Sequence, residues 1–196
     1  MIACDVVLLP SEEAAGRAIE MNREIAAAGD DSILLDPEKC LPHITLVMGC
    51  LKEEDLGQAG EILRDIASNF PALELETVHA KGGPASIRLE KTRDIELLHE
   101  IAAIRFSRLF TCNATRDMIF DNGGNDFHDL TLDFIHKFPT RGSFENYTPH
   151  ITIGYRSTCL EIPQFKFRAD TLALCHLGDL CTCRKVLKSA KMIERG

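Results

Sequence analysis

One four-residue string, Pro-His-Ile-Thr, occurs twice in this chain, at 42–45 and again at 149–152. No other feature constrains the fold as strongly. Each copy runs on into apolar residues, Leu46 and Val47 after the first and Ile153 after the second. An alternating, β-branched-rich run of this kind reads as a strand. Residues i and i+2 of a strand project to the same face. His43 and Thr45 are therefore expected side by side, and so are His150 and Thr152. The two pairs stand more than half a chain apart, one in each half. Such a recurrence within 196 residues points to an internal duplication. A single His-x-Thr on a strand is usually structural, a half-buried histidine beside a threonine favoured by strand propensity. A duplicated core strand would keep its apolar residues but has little reason to keep a histidine.

Imidazole is the one side chain whose unperturbed pKa, roughly 6.5, lies near working pH. Two of them across a cleft can divide labour. One, neutral, takes a proton from an attacking oxygen, and the other, protonated, gives one to a leaving oxygen. Each threonine hydroxyl can hydrogen-bond a non-bridging oxygen of a charged substrate. Two acid/base groups with two hydroxyl donors suit in-line displacement at phosphorus, above all where a poor leaving group such as a ribose 2′-oxygen must be protonated. The arrangement requires no metal, and neither a metal nor a cofactor is expected. Which histidine is acid and which is base stays open, because the motifs are nearly identical and local burial decides.

Paired His-x-Thr motifs, one per half, resemble the signature of the two-histidine (2H) phosphoesterases. That group includes the bacterial 2′-5′ RNA ligase-like proteins and the 2′,3′-cyclic phosphodiesterases. The resemblance runs over about 2–187. It implies a catalytic quartet of His43, Thr45, His150 and Thr152. It also implies an α+β fold of two lobes related by a pseudo-twofold axis, with largely antiparallel sheets, outer helices and a central cleft. The second copy reads on through Ile153, Gly154, Tyr155 and Arg156. Tyr155 takes its usual place, and the arginine falls one residue later than in the common pattern. Arg156 keeps the parity of His150 if the strand stays regular, which would let it reach a phosphate. Met48, Gly49 and Cys50 follow the first copy, with no arginine.

The chain lacks a Ser/Gly/Pro-rich linker, so residues 1–196 read as one domain of two lobes. Its apolar fraction of 45% is enough for a real core. The apolar runs are too short to cross a membrane, and the start reads as a strand, with Asp5 inside it, rather than a signal peptide. A cytoplasmic monomer is the expectation. Eight cysteines in such a chain are expected to be reduced and packed as small apolar residues. Cys181 and Cys183, with Cys175 and His176 upstream, fit no standard zinc spacing and read as one face of a core strand. The formal charge of −8 argues against nonspecific gripping of long nucleic acid and leaves room for a small site reading one phosphodiester. A small phosphoester, nucleotide or RNA end is the expected partner. Basic residues near the end, among them Lys188, Lys191 and Arg195, read as a solvated face.

Periodicity predicts strands over 2–9, 33–35, 73–80, 85–90, 165–175 and 180–187, besides the two motif strands. The triplet Gly82-Gly83-Pro84 is expected to form a turn between two of them, and 176–179 a hairpin. Helices are predicted over about 12–28, 53–69 and 93–110, the first capped by Ser11. The stretch 111–148 is the least regular, with a strong turn signal at 121–126 that fails the calcium-loop pattern. Residues 140–148 are expected to help cover the cleft, with Phe144 or Tyr147 able to stack on a base. His99 is expected exposed and His79 semi-buried. Two other function classes compete. One is a metal-dependent hydrolase with the same histidines as ligands, which lacks a convincing carboxylate partner motif. The other is a non-catalytic nucleotide- or RNA-binding module.

Overall fold

The structure is a computed structural model, and it describes residues 1–121 and 127–194. Most of the turn signal at 121–126, and Arg195, lie outside the described residues. Eight strands are present among them: β1 (Ile2–Leu9), β2 (Ile44–Leu51), β3 (Leu73–Glu76), β4 (Ala80–Arg88), β5 (His150–Ile162), β6 (Lys166–Ala169), β7 (Thr171–Leu177) and β8 (Cys183–Lys191). Four α-helices join them: α1 (Glu12–Ala27), α2 (Leu56–Asn69), α3 (Arg93–Phe106) and α4 (Leu130–Arg141). Six strands form one sheet in the order β4-β5-β2-β1-β7-β8, and β3 pairs with β6 separately. Every paired strand is antiparallel to its neighbour. The architecture is α+β with an open, largely antiparallel sheet, as the sequence implied.

The motif strands β2 and β5 lie next to each other at the middle of the sheet. They meet at a single pair, Ile44 with Ile151, each the residue between a motif histidine and threonine. No further β2–β5 pair is present among the described residues, and the motif residues flanking this one line a cleft. Packing fixes this centre. α1 lies against β5, α3 against β2, α2 against β7 and β8, and α4 against β2 and the short turn at 179–181. Ser11 caps α1 as expected, its hydroxyl accepting the N–H of Ala14, and Glu12 and Glu13 sit in the first turn where negative charge is favoured. Ala14, Ala18, Ile19 and Ile25 form the buried face of α1.

Several expectations fail for physical reasons. Residues 33–35 do not form a strand. The buried side chain of Asn22 takes their backbone instead, donating to Ile33 O at 2.7 Å and to Ile153 O at 3.0 Å while accepting from Leu35 N at 2.8 Å. Gly82-Gly83-Pro84 is not a turn between strands. It lies inside β4, where Gly82 and Gly83 take positive φ values of 70° and 110° at an irregularity in the pairing with β5. The stretch 165–175 breaks at Asp170 into β6 and β7, which belong to different sheets. The 176–179 hairpin falls later, as a 3-10 turn at 179–181, so β8 begins at Cys183 and Cys181 is not on a strand. α4 arises within the region read as irregular. Thr131, Ile135 and Phe138 give it a buried stripe at helical spacing. Pro139 weakens that signal, but it sits in the last turn of the helix. His99 is buried, not exposed, and His79 is exposed.

Candidate active site

All four motif residues, His43, Thr45, His150 and Thr152, line one cleft of roughly 480 Å³. That volume falls in the range of small-ligand sites. The two histidines are held by the same local device. The Nδ1 of His43 lies 2.8 Å from Leu41 O, and the Nδ1 of His150 lies 2.8 Å from Thr148 O. A carbonyl oxygen only accepts, so each Nδ1 carries the proton and donates it. Each Nε2 is left as the ring nitrogen able to take a proton.

Beyond the threonines, both motif strands bulge. In β2 the register slips between its pairings with Val6 and Val7, so Thr45 opposes Val7 while Met48 opposes Asp5. In β5 the slip falls between the residues opposite Pro84 and Ser86, just past Thr152. These insertions, one extra residue in β2 and three in β5, reset which side chains share a face. Consequently the residue three beyond each threonine, Met48 or Tyr155, lines the cleft. Arg156 does not line it, and its side chain is exposed. The parity that would have carried it there assumes a regular strand. The β5 bulge is pinned by the buried Asp30, whose Oδ2 accepts the N–H groups of Tyr155 at 2.8 Å and Arg156 at 2.7 Å. Burial alone would raise the Asp30 carboxyl, but these backbone donors outweigh it and hold it below the ordinary range. Glycine is required just before them, at Gly154. A Cβ there would come within 2.8 Å of the Ala85 Cβ.

The cations facing the cleft come from α4: Lys137 and Arg141, one helical turn apart. Lys137 is ion-paired with Asp133 beside it. Both escape sequence reasoning, because 111–148 reads as irregular. The i, i+4 spacing of these cations, with Ile135 and Phe138 on the buried side, was the available signal.

Tyr147 does not offer its ring to a ligand. It is buried and stacked on His99, with ring centroids 4.0 Å apart and planes 5° from parallel. Its hydroxyl donates to Thr45 O at 3.1 Å, so it buttresses the first motif from behind. His99 completes that buttress. Its Nδ1 lies 2.6 Å from Leu46 O, and its Nε2 accepts the Phe144 N–H at 2.7 Å. Phe144 is exposed and does not line the cleft among the described residues. One cleft wall is made instead by Leu180 and Cys181, both in left-handed backbone with φ of 52° and 56°. Such strain persists only where its surroundings hold it. Here Thr131 Oγ1 accepts the Leu180 N–H at 2.7 Å and itself donates to Asp179 at 2.5 Å.

The two copies differ in their surroundings. His43 is 9% exposed, whereas His150 is open to solvent. The His43 pKa is lowered to about 4, chiefly by burial and in smaller part by the nearby His150, against the opposing pull of the Leu41 carbonyl. Thr45 Oγ1 donates to Asp5 Oδ2 at 2.6 Å. The hydroxyl of Thr152 faces the cleft with no such partner among the described residues. Asp5 is fully buried in a central strand, and burial pushes its carboxyl well above the usual range, the Thr45 bond pulling the other way.

No family model matches the chain, and no curated protein matches it. Solved structures do. TT0787 of Thermus thermophilus superposes with a TM-score of 0.61 at 14% identity, covering 100% of both chains. A phosphoesterase follows at a TM-score of 0.51 and 15% identity, over 98% of this chain and 99% of that one. E. coli LigT in complex with 3′-AMP gives 0.51 at 16% identity, over 97% and 98%. At these identities the likeness is one of fold, and the fold is the 2H phosphoesterase-like one.

Proposed function

We propose that this chain is a 2H phosphoesterase. In this reading it cleaves a 2′,3′-cyclic phosphate or a 2′-5′ phosphodiester in a nucleotide or RNA end, by general acid/base chemistry that needs no metal. The observation that carries the reading is the convergence of both His-x-Thr pairs on one cleft, each histidine fixed in the same tautomer. The phosphoesterase and the 3′-AMP complex among the fold neighbours support the substrate class.

Environment divides the labour between the histidines. His43, kept neutral by burial, is the general base, and its Nε2 takes a proton from water as the water oxygen attacks phosphorus. The new P–O bond forms as the bond to the leaving ribose oxygen breaks. His150, at the open side, delivers the proton that oxygen needs. Thr152 donates to a non-bridging oxygen, and Arg141 supplies the positive charge that strand parity assigns to Arg156. The reverse reaction, ligation of a 2′-hydroxyl, passes through the same transition state. The net acidic charge favours a nucleotide or a short RNA end over folded RNA.

The test is turnover of a 2′,3′-cyclic nucleotide in excess EDTA by the wild type and by His43→Ala and His150→Ala. Activity in the wild type and its loss in both variants is the expected result. Wild-type silence under EDTA, with turnover restored by a divalent metal, would replace this reading with a metal-dependent hydrolase.

A further inference from the structure

Behind the cleft, Asp5, His43 and Cys183 bring one carboxylate oxygen, one ring nitrogen and one thiol sulfur within 4.8 Å of each other. Asp5 Oδ2 and His43 Nε2 are 3.8 Å apart. Ligands of a tetrahedral zinc, bonded at about 2.0–2.3 Å, stand roughly 3.3–3.7 Å from one another, so the triad would have to draw in by up to on the order of 1 Å to hold one. Its frame is built from paired backbone. Leu41 donates its N–H to Cys183 O at 2.9 Å and receives the His43 Nδ1 proton on its own carbonyl at 2.8 Å. That one residue sets both Cys183 and the tautomer that leaves Nε2 facing Asp5. Asp5 lies on β1, two strands from β8, with β7 between them.

A second observation points to an occupant. Asp5 is fully buried, and its Oδ1 has no hydrogen-bond partner among the described residues. A buried carboxyl with an unsatisfied oxygen is costly unless a proton or a cation answers it. Nothing in the phosphoester chemistry uses Asp5 or Cys183. Among the described residues no other such cluster is present.

We propose that Asp5, His43 and Cys183 form a three-ligand site for a borderline-soft divalent cation of the zinc class, open at its fourth position toward the cleft. One nitrogen, one oxygen and one sulfur suit zinc or cobalt and not magnesium, which demands oxygen ligands in octahedral array. Where the proposed acid/base function holds, the site also regulates it. The cation takes the lone pair of His43 Nε2, the same pair that would accept the substrate-derived proton. Metal occupancy and catalysis then exclude each other, and zinc is an inhibitor competing with the proton for one nitrogen.

The test titrates cobalt(II) into the metal-free full chain. A thiolate-to-cobalt charge-transfer band with the visible bands of a tetrahedral ion is expected for the wild type. Cys183→Ser should lose the charge-transfer band while Cys175→Ser, the neighbouring thiol, keeps it. Asp5→Asn should weaken cobalt binding at least about ten-fold. Magnesium should not compete. Circular dichroism of each variant separates loss of a ligand from loss of the fold. A band that is absent in the wild type, or that survives in Cys183→Ser, overturns the site. These readouts do not involve turnover, so they stand or fall apart from the phosphoesterase reading. On turnover, zinc should inhibit cyclic-nucleotide cleavage and EDTA should restore it. Stimulation by zinc would overturn the competition.

Discussion

The two Pro-His-Ile-Thr copies are the same string in opposite settings. The first is walled in. Its histidine is buried, its threonine hydroxyl is committed to Asp5, and Tyr147 and His99 brace it from behind. The second lies at the open side, with a solvent-exposed histidine and a threonine hydroxyl that has no side-chain partner among the described residues. The local device is shared, a ring N–H given to the carbonyl two residues back. What differs is supplied from elsewhere in the chain. A repeated motif therefore yields equal side chains, and the flanking elements turn them into unequal ones, one buried and held neutral and one open to solvent.

The largest effect is expected at the histidines, where His43→Ala or His150→Ala should each lower turnover by about 10²–10⁴-fold. The double variant should fall little further, because the two act as a unit. Initial rates on a cyclic nucleotide measure this. The threonines should then separate the copies by kind of effect. Thr152→Ala should lower kcat by about 10–100-fold with little change in stability. Thr45→Ala should lower stability by about 1–3 kcal/mol, because among the described residues it leaves both Asp5 oxygens without a donor. Denaturant titration alongside kinetics distinguishes the two. For phosphate binding, Arg141→Ala should raise KM by about ten-fold or more, while Arg156→Ala should change it by less than about two-fold.

Asp5 offers a sharper, pH-dependent test. Its carboxyl is raised in the folded state, so the stability tied to it is complete below the ordinary carboxylate range and is lost as pH rises. Asp5→Asn should therefore be more stable than the wild type at pH 8, by at least about 1 kcal/mol, with the gain shrinking toward pH 4. His43 works in the opposite direction. Its folded pKa of about 4 lies below the unfolded value of 6.5, so stability tied to it is complete above pH 6.5 and is lost as pH falls toward 4. Urea titrations of both proteins across this window resolve the two contributions. The smallest effect is expected from Tyr147→Phe, about 1 kcal/mol of stability for the lost bond to Thr45.

The motif quartet was legible because strand parity acts over two residues, and both strands stay regular from histidine to threonine. Past the threonines the same rule misled. It assigned Arg156 to the cleft, because the bulge in β5 is imposed by Asp30, a residue over a hundred positions away. Strand and helix periodicity also recovered β1, α1, α2 and α3 closely. They could not show that Gly82 and Gly83 form a kink inside β4, since glycine marks a turn and a bulge alike. α4 was hidden by Pro139 and by the polar residues around its short apolar stripe, and the cleft cations went with it. His99 looked exposed from helix phase alone. What buries it is the 144–147 segment packing over α3, a contact that no local pattern encodes. Asp5 was visible as an acid within an apolar strand, but its neighbours Thr45, His43 and Cys183 come from distant stretches of the chain.

The most direct test of the unequal pair is the pH dependence of kcat/KM for a 2′,3′-cyclic nucleotide in excess EDTA. A bell is expected whose acidic limb falls near pH 4, set by the buried His43 acting as base. An acidic limb near 6.5 would contradict it, because the base would then be a histidine in an ordinary, solvated setting.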